Sequence, residues 1–282
     1  MPQRSPLDQL AATTWLDRVG DPLRRAVQNV ISARARDALH GIWFGHPVHP
    51  AMVMFPLGAW LSAAVLDLNR RGKRAATLLI GLGAVGAVPA AVAGYNDWAS
   101  LSREQRRVGL AHAASNNVAV WLYLASLVAR SRGRRGRLLA YGGLAAAATG
   151  SYLGGHLAYR QGAGVNQAVP FLRRIPDGWH DLCAVDGLVA GKPVVAHIGE
   201  VPVLVARAGE DITVMIERCG HHTGPLGEGE PTRVDGVDCV VCPWHGSTFR
   251  LTDGTPVHGP AASGQPVLRS RIADGRVEAS LP

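Results

Sequence analysis

Two short segments of the sequence each bring one thiol and one imidazole side chain close together. Cys219 and His221 are two positions apart, and Cys242 and His245 are three positions apart. Spacings this short suit tight loops whose side chains converge on one metal centre. Two sulfurs and two nitrogens could hold a tetrahedral zinc ion, or a [2Fe–2S] cluster with thiolates on one iron and imidazoles on the other.

The residues around both segments favour the cluster. The first loop reads CGHHTGPLGEG, and the second reads CPWHGSTFRLTDGTPVHGPA. Glycine lets the backbone approach a cluster closely, so that N–H groups can be donated to its sulfides. The two motifs closely resemble the Rieske family over residues 171–282. The resemblance implies that Cys219 and Cys242 ligate one iron. It implies that His221 and His245 ligate the other.

The neighbouring cysteines and histidines offer alternative readings. Cys239 lies three residues before Cys242, a spacing also found in redox pairs and zinc knuckles. A zinc site that used Cys239 would leave the Cys-Gly-His segment without a role. We therefore expect Cys239 to be a buried strand residue and Cys183 to be structural. His222 and His258 are expected at the rim of the loops.

The loops also differ from one branch of the Rieske family. Quinol-oxidising Rieske proteins carry an extra cysteine in each loop, and the two form a disulfide. Here the corresponding places hold Leu-Gly after Pro225 and Trp244 before His245. The loops therefore resemble the ferredoxin and oxygenase types. Ser247 could donate its hydroxyl to a cluster sulfide, which would raise the reduction potential.

The charge is distributed unevenly along the 282 residues. Residues 171–282 hold ten Lys/Arg and fourteen Asp/Glu, whereas residues 1–170 hold nineteen and seven. A basic, apolar first part and an acidic second part indicate a membrane region followed by a water-soluble domain. The basic residues lie between apolar runs and no nucleic-acid motif is present, so we expect no nucleic-acid partner.

The first part is predicted to be an all-α transmembrane bundle. Residues 1–40 form an amphipathic helical region, and residues 41–165 form a four-helix domain. Each apolar stretch approaches the ~20 residues needed to cross a bilayer, and small residues at four-residue spacing would let the helices pack closely. The four stretches are 48–68, 75–95, 112–129 and 138–159.

The loops between the stretches predict the orientation. The links 69–74 and 130–137 are rich in Lys and Arg and would lie on the cytoplasmic side. The protein would then be a multi-pass protein of the cell membrane with its Rieske domain outside the cytoplasm. Arg134 and Arg135, ahead of the last stretch, could serve as a twin-arginine export signal.

Polar residues in the apolar stretches are candidates for function. The opening Gly-His-Pro-Val-His-Pro at 45–50 and the later Gly-Gly-His-Leu resemble an uncharacterised bacterial family of four-helix membrane proteins over residues 41–165. That family supplies no established chemistry. One hypothesis is haem b, with axial pairs His112–His156 or His46–His49. Another is a quinone pocket that uses these histidines and Asp97. A third is that they only cap helix ends.

The region 171–282 is predicted to be a small all-β domain of Rieske type. Runs such as 201–205 and 212–216 alternate in the manner of half-buried strands. We expect a membrane-bound protein that transfers one electron through a [2Fe–2S] cluster between redox proteins or a quinone. The alternatives are a subunit of a quinol-oxidising or oxygenase-type system and a redox-sensing module. A separate catalytic domain is not evident, so whether the chain is itself an enzyme stays open.

Overall fold

The structure, a computed structural model, describes residues 5–208 and 211–282. It divides into two compact units. The helical unit contains the chain up to Ser32 together with Pro47–Ala163, and the β unit contains Ala33–His46 together with Gly164–Pro282. This division differs from the expected one, because the segment Ala33–His46 joins the β unit.

Helices make up most of the chain before residue 164. After Gly155 the last long helix continues as a π-helical turn, His156–Arg160. In chain order the helices are α1 (Pro6–Ala12), α2 (Asp17–Val30), α3 (Ala33–His40), α4 (His49–Met52), α5 (Met54–Leu66), α6 (Lys73–Trp98), α7 (Arg103–Ser131), α8 (Arg137–Gly155) and α9 (Val169–Leu172).

The start of α7 is fixed by local and long-range polar contacts. Ser102 and Gln105 form a capping box, in which each side chain accepts the backbone N–H of the other residue. One turn later, Arg107 donates to both carboxylate oxygens of Asp17 on α2, at 2.8 and 2.6 Å. The N-terminal helix α2 is therefore tied to the bundle by a bidentate ion pair.

Small residues line the interior of the helical unit. The buried core includes Ala63, Ala76, Ala119 and Ala147, and the rings of Trp60 and Tyr123 stack between them at 4.3 Å. A Cβ at Gly83 would lie 2.3 Å from the Trp60 ring nitrogen. Helix packing therefore requires the small residues, as the sequence predicted.

Two helical stretches of the described residues are long and apolar enough to cross a membrane, His49–Leu66 and Lys73–Trp98. The other two predicted spans fall short of that criterion. Helix α7 begins with a charged first turn and carries polar side chains in its middle, and α8 consists largely of weakly apolar Ala and Gly. The four long helices are present, but crossing by all four stays a prediction.

The β unit contains two antiparallel sheets. The six-stranded sheet has the order β1-β10-β9-β4-β3-β2, and the four-stranded sheet has the order β5-β6-β7-β8. The strands are β1 (His180–Ala184), β2 (Val194–Ile198), β3 (Val201–Ala208), β4 (Asp211–Ile216), β5 (Glu230–Val234), β6 (Val237–Val241), β7 (Thr248–Arg250), β8 (Pro256–His258), β9 (Val267–Ala273) and β10 (Arg276–Ser280).

Strand β3 is buried on both faces, which its alternating sequence did not predict. Val203 and Val205 point into one core, which also contains Ala168 and residues of β10. Leu204 points into a second core, where it packs with Phe249 of the four-stranded sheet and with both Cys219 and Cys242. The second core lies beneath the two loops that carry the paired cysteines and histidines.

Candidate [2Fe–2S] site

The two loops with paired Cys and His extend from neighbouring elements of the β unit. The first follows β4, and its turn is closed by Cys219 N–H to Gly224 O at 2.9 Å and by Thr223 N–H to Cys219 O at 2.8 Å. The second joins β6 to β7, and Gly246 N–H donates to Cys242 O at 3.0 Å. Gly246 has φ +76°, a left-handed conformation that glycine adopts without strain.

The two cysteines of the loops lie side by side. Both are buried, and neither is in a disulfide. A hydrogen bond between the two thiol groups raises the pKa of Cys219 and lowers that of Cys242, which also accepts N–H groups from Trp244 and His245. A Cβ at Gly224 would lie 2.8 Å from the sulfur of Cys242, so this position requires glycine. One thiolate is therefore already stabilised, as metal ligation requires.

The two histidines face each other across the loops. Their ring centroids are 4.9 Å apart with an angle of 88° between the planes. Burial is the main cause that lowers the pKa of His221 to about 2, with further contributions from the nearby His222, His245 and His40. The His221 ring is therefore neutral at physiological pH, and a neutral imidazole is the form that binds metals.

One buried nitrogen has no partner within the protein. The Nδ1 atom of His221 is inaccessible to solvent and makes no hydrogen bond. A buried polar atom without a partner is costly, and an absent ion is one of the ordinary explanations. Together with the adjacent thiols of Cys219 and Cys242, this atom fits a ligand set for a [2Fe–2S] cluster.

The two alternatives for the metal differ in how the four side chains must be grouped. Within residues 5–208 and 211–282, no group of three or more Cys, His, Asp or Glu side chains is close enough to hold one ion. A zinc ion would need all four side chains around one centre, whereas a binuclear cluster needs only two protein ligands at each iron.

A glutamine that the sequence did not single out supports the first loop. Gln265 is buried, and its side-chain oxygen accepts the N–H of Gly220 at 2.7 Å. Its amide nitrogen donates to the carbonyls of Ile216 and Arg218, at 2.8 and 2.9 Å. A lone glutamine in a loop of small residues gives no sequence signal of this role, because its three partners lie some 45 residues earlier.

The two remaining cysteines lie on strands, whereas the His222 ring lies beside the paired histidines, with its centroid 4.3 Å from that of His221 and 5.6 Å from that of His245. Cys239 is buried on β6, as expected, with its thiol 3.4 Å from Val237 O. Cys183 is half-buried on β1, where the pairing with β10 is irregular. His222 is half-buried rather than at an exposed rim, and His258 is exposed.

The contacts of the helical-region histidines include one pair that the sequence did not single out, whereas the pair His112–His156 stays a prediction. His46 and His49 belong to different compact units. His49 instead faces His112, with ring centroids 6.2 Å apart. Each of these two rings has its Nδ1 atom 2.8 Å from a helix carbonyl, Ala90 O for His49 and Gly150 O for His112.

These two rings lie close to the backbone of the neighbouring helices. The other nitrogen of His112 lies 3.3 Å from the amide nitrogen of Asn116. Cβ atoms added at Gly94 and Gly154 would lie 2.8 and 3.1 Å from the rings of His49 and His112. The contacts of these two rings therefore give haem b no support.

His156 has a buried ring nitrogen without a hydrogen-bond partner. It begins the π-helical turn at the end of α8, and its buried Nε2 atom has no hydrogen-bond partner. Asp97 lies near the end of α6. The quinone hypothesis for these residues stays a prediction.

Both parts of the chain match known families. Residues 45–167 match the family described as predicted membrane protein (DUF2231). Residues 178–269 match the Rieske [2Fe–2S] domain. These matches confirm both resemblances that the sequence motifs indicated.

The relatives of the β unit include ferredoxins. The anthranilate 1,2-dioxygenase ferredoxin subunit of Burkholderia cepacia is 33% identical over 103 residues, which cover 36% of this chain and 92% of the relative. Ferredoxin CarAc of Metapseudomonas resinovorans is 29% identical over 100 residues, which cover 35% and 90%. A solved ferredoxin of Sphingomonas yanoikuyae B1 is 24% identical with a TM-score of 0.33, and the match covers 37% of this chain and 100% of that chain. The chain therefore belongs to the Rieske [2Fe–2S] family through its β unit, and a DUF2231 region precedes that unit.

Proposed function

We propose that this protein is a membrane-bound one-electron carrier. Cys219 and Cys242 hold one iron of its cluster, and His221 and His245 hold the other. The observation that carries this assignment is the buried, unpartnered Nδ1 atom of His221 beside two buried thiols. When bound, the cluster supplies a redox centre that accepts and releases a single electron.

The cysteine side and the histidine side of the site differ in their exposure to solvent. The cysteines are buried in the second core, which excludes water from the sulfur side. His245 is exposed, and the neighbouring Trp244 exposes 56% of its surface. An exposed imidazole edge beside an aromatic ring is suited to contact a partner protein. Electrons would therefore enter and leave at the His245 side.

The helical unit is proposed to anchor the carrier in a membrane with all four long helices. Its interior consists of small residues, whereas its outer surface is strongly apolar. Such an inverted surface would be unfavourable in water but suits lipid. The exposed apolar residues come from every long helix and include Leu61, Leu82, Val85, Trp121, Val128 and Leu138.

The basic links at 69–74 and 130–137 support a cytoplasmic position for one end of this bundle. Near that end, Arg130 forms a buried bidentate ion pair with Asp67, with Nη1 to Oδ1 at 2.9 Å. The Rieske domain would lie on the other side, and a topology reporter fused after Pro282 tests this. Activity of a cytoplasm-specific reporter would contradict the orientation.

The partner is proposed to be another redox protein of the oxygenase-type class. Two relatives of the β unit are ferredoxins, and one is named as a subunit of a dioxygenase system. The loops lack the extra cysteine pair of quinol-oxidising Rieske proteins. Transfer of electrons from the reduced protein to a quinone analogue, but not to an oxygenase component, would favour the quinol alternative instead.

Electron paramagnetic resonance of the purified, dithionite-reduced protein tests the cluster. We expect a rhombic signal with a low average g value, and its loss in Cys242→Ser and His245→Ala. Cys239→Ser is the matched control, since Cys239 is equally buried and only three residues from Cys242. It should keep the signal. A full signal in Cys242→Ser, or a silent wild-type protein prepared anaerobically with iron, would refute the assignment.

A further inference from the structure

Helix α3, which precedes the membrane region in sequence, makes a specific contact with the β unit. The Asp37 carboxylate accepts two hydrogen bonds from the turn after β8. They come from His258 Nδ1 at 2.9 Å and from Gly259 N–H at 3.0 Å. A carboxylate can only accept, so Nδ1 of His258 carries its hydrogen. Asp37 itself is only 21% exposed, whereas His258 is 53% exposed.

The turn held by Asp37 lies directly against the second ligand loop. Gly259 has φ +93°, and a Cβ at this position would meet the backbone of Ser247 at 2.5 Å and the carbonyl of Gly246 at 2.8 Å. In the same turn, Ala261 N–H donates to the Ser247 hydroxyl oxygen at 3.1 Å. Any movement of this turn is therefore transmitted to the loop that carries Cys242 and His245.

The same helix carries a further buried histidine. His40 follows Asp37 by three residues, so the two side chains share one face of α3. His40 is only 6% exposed, and α3 belongs to the β unit. The face of α3 that carries Asp37 is therefore packed into this unit.

We propose that Asp37 is a positioning residue: by binding the His258–Gly259 turn it holds α3 against that turn and keeps the turn packed on the loop that carries Cys242 and His245. The backbone of this second ligand loop is thereby shielded from water. This role rests on the proposed [2Fe–2S] centre, because shielding from water acts on the reduction potential of that cluster.

The expected effect on the potential has a clear sign. The reduced cluster carries one more negative charge than the oxidised cluster, and water stabilises that charge. Release of α3 should loosen the turn, admit water to the second ligand loop and raise the reduction potential. The solvent exposure of a cluster is one of the properties that set its potential.

The test compares Asp37→Ala with Asp37→Asn in the full-length protein. Both remove the charge, but the amide oxygen of Asn can still accept the Gly259 N–H. A difference between them therefore reports the position of α3 rather than the charge. Asp181→Asn is the matched control, because Asp181 forms an exposed ion pair with Arg276 in the same unit.

Hydrogen–deuterium exchange provides the first readout. In Asp37→Ala we expect peptides covering 33–44 and 255–262 to exchange roughly tenfold faster or more, since charge-assisted hydrogen bonds are lost. Asp37→Asn should exchange at an intermediate rate, and Asp181→Asn at the wild-type rate. The second readout is the potential from a redox titration of the cluster signal, which should be higher in Asp37→Ala than in Asp37→Asn.

Wild-type exchange of these peptides in Asp37→Ala would overturn the proposal, and so would equal potentials in the Ala and Asn variants. A failure of the cluster assignment would give a different experimental result from a failure of the Asp37 proposal. A wild-type protein without a Rieske signal would refute the proposed function. The exchange experiment would still report whether Asp37 holds α3, since that contact needs no cluster.

Discussion

Replacement of Gln265 by alanine should destabilise the cluster site more than any other single polar substitution in the β unit. The Gln265 side chain makes three hydrogen bonds to backbone groups of the first ligand loop and of the strand before it. The residue is buried, so water cannot readily replace those bonds. The Ala variant would leave one N–H and two carbonyl groups short of a partner.

The size of the effect follows from these bonds. A buried hydrogen bond contributes about 1 kcal/mol net, so three contribute about 3 kcal/mol. Small domains lose about 1–3 kcal/mol of stability per molar urea. The midpoint for loss of the cluster should therefore fall by roughly 1–3 M urea in Gln265→Ala.

Visible absorbance of the cluster in the detergent-purified, full-length protein, followed across a urea series, measures this midpoint. Ser270→Ala is the matched control, because the Ser270 hydroxyl makes one hydrogen bond, to Ile212 O at 2.7 Å, on the neighbouring strand β4. It should shift the midpoint about one third as far. A shift in Gln265→Ala no larger than that of Ser270→Ala would refute the three-bond reasoning.

Three further predictions concern other positions. Gly246→Ala should lower the free energy of unfolding by about 1–2 kcal/mol, because the φ of Gly246 is left-handed although no neighbour lies within 4 Å of an added Cβ. Gly259→Ala should in addition displace the second ligand loop and lose the cluster signal. Equal retention of the signal in the two variants would contradict this. Asp67→Asn should lower the free energy of unfolding by about 3–5 kcal/mol, because Arg130 stays buried without its charge partner. A melting temperature in detergent that equals the wild-type value within error would contradict this. The arginine partner of Asp17 holds the pKa of that carboxyl below its ordinary value, so the ion pair should stabilise α2 fully above about pH 4 and lose that effect as pH falls through the lowered pKa. Hydrogen exchange of α2 from pH 3 to 7 measures this, and Asp17→Asn should remove the pH dependence.

The four candidate ligands could be proposed from the sequence because ligand chemistry restricts residue type as well as spacing. Cysteine and histidine at 219, 221, 242 and 245 have few alternative uses in such short loops. The strands beneath them were also predictable from alternation, and β3 and β4 lie where the pattern indicated. Both signals are local in sequence.

The pairing of the histidines in the helical region could not be predicted from local sequence. The sequence placed four histidines near helix ends, and any pair could have been chosen as haem ligands. The rotation of each helix decided which rings meet. It brought His49 against His112 and closed the space around them with Gly94 and Gly154. Helix rotation depends on the packing of all the neighbouring helices, so periodicity within one helix does not determine it.

The sequence by itself therefore determined the chemistry of this protein: the four candidate ligands, the glycine-rich loops around them and the apolar stretches ahead of them. The tertiary structure decided which residues support that chemistry. Gln265 reaches the first loop from 45 residues away, and Asp37 reaches the turn beside the second loop from more than 200 residues away. A contact between residues so distant in sequence depends on how whole elements pack, and a local pattern does not contain that information.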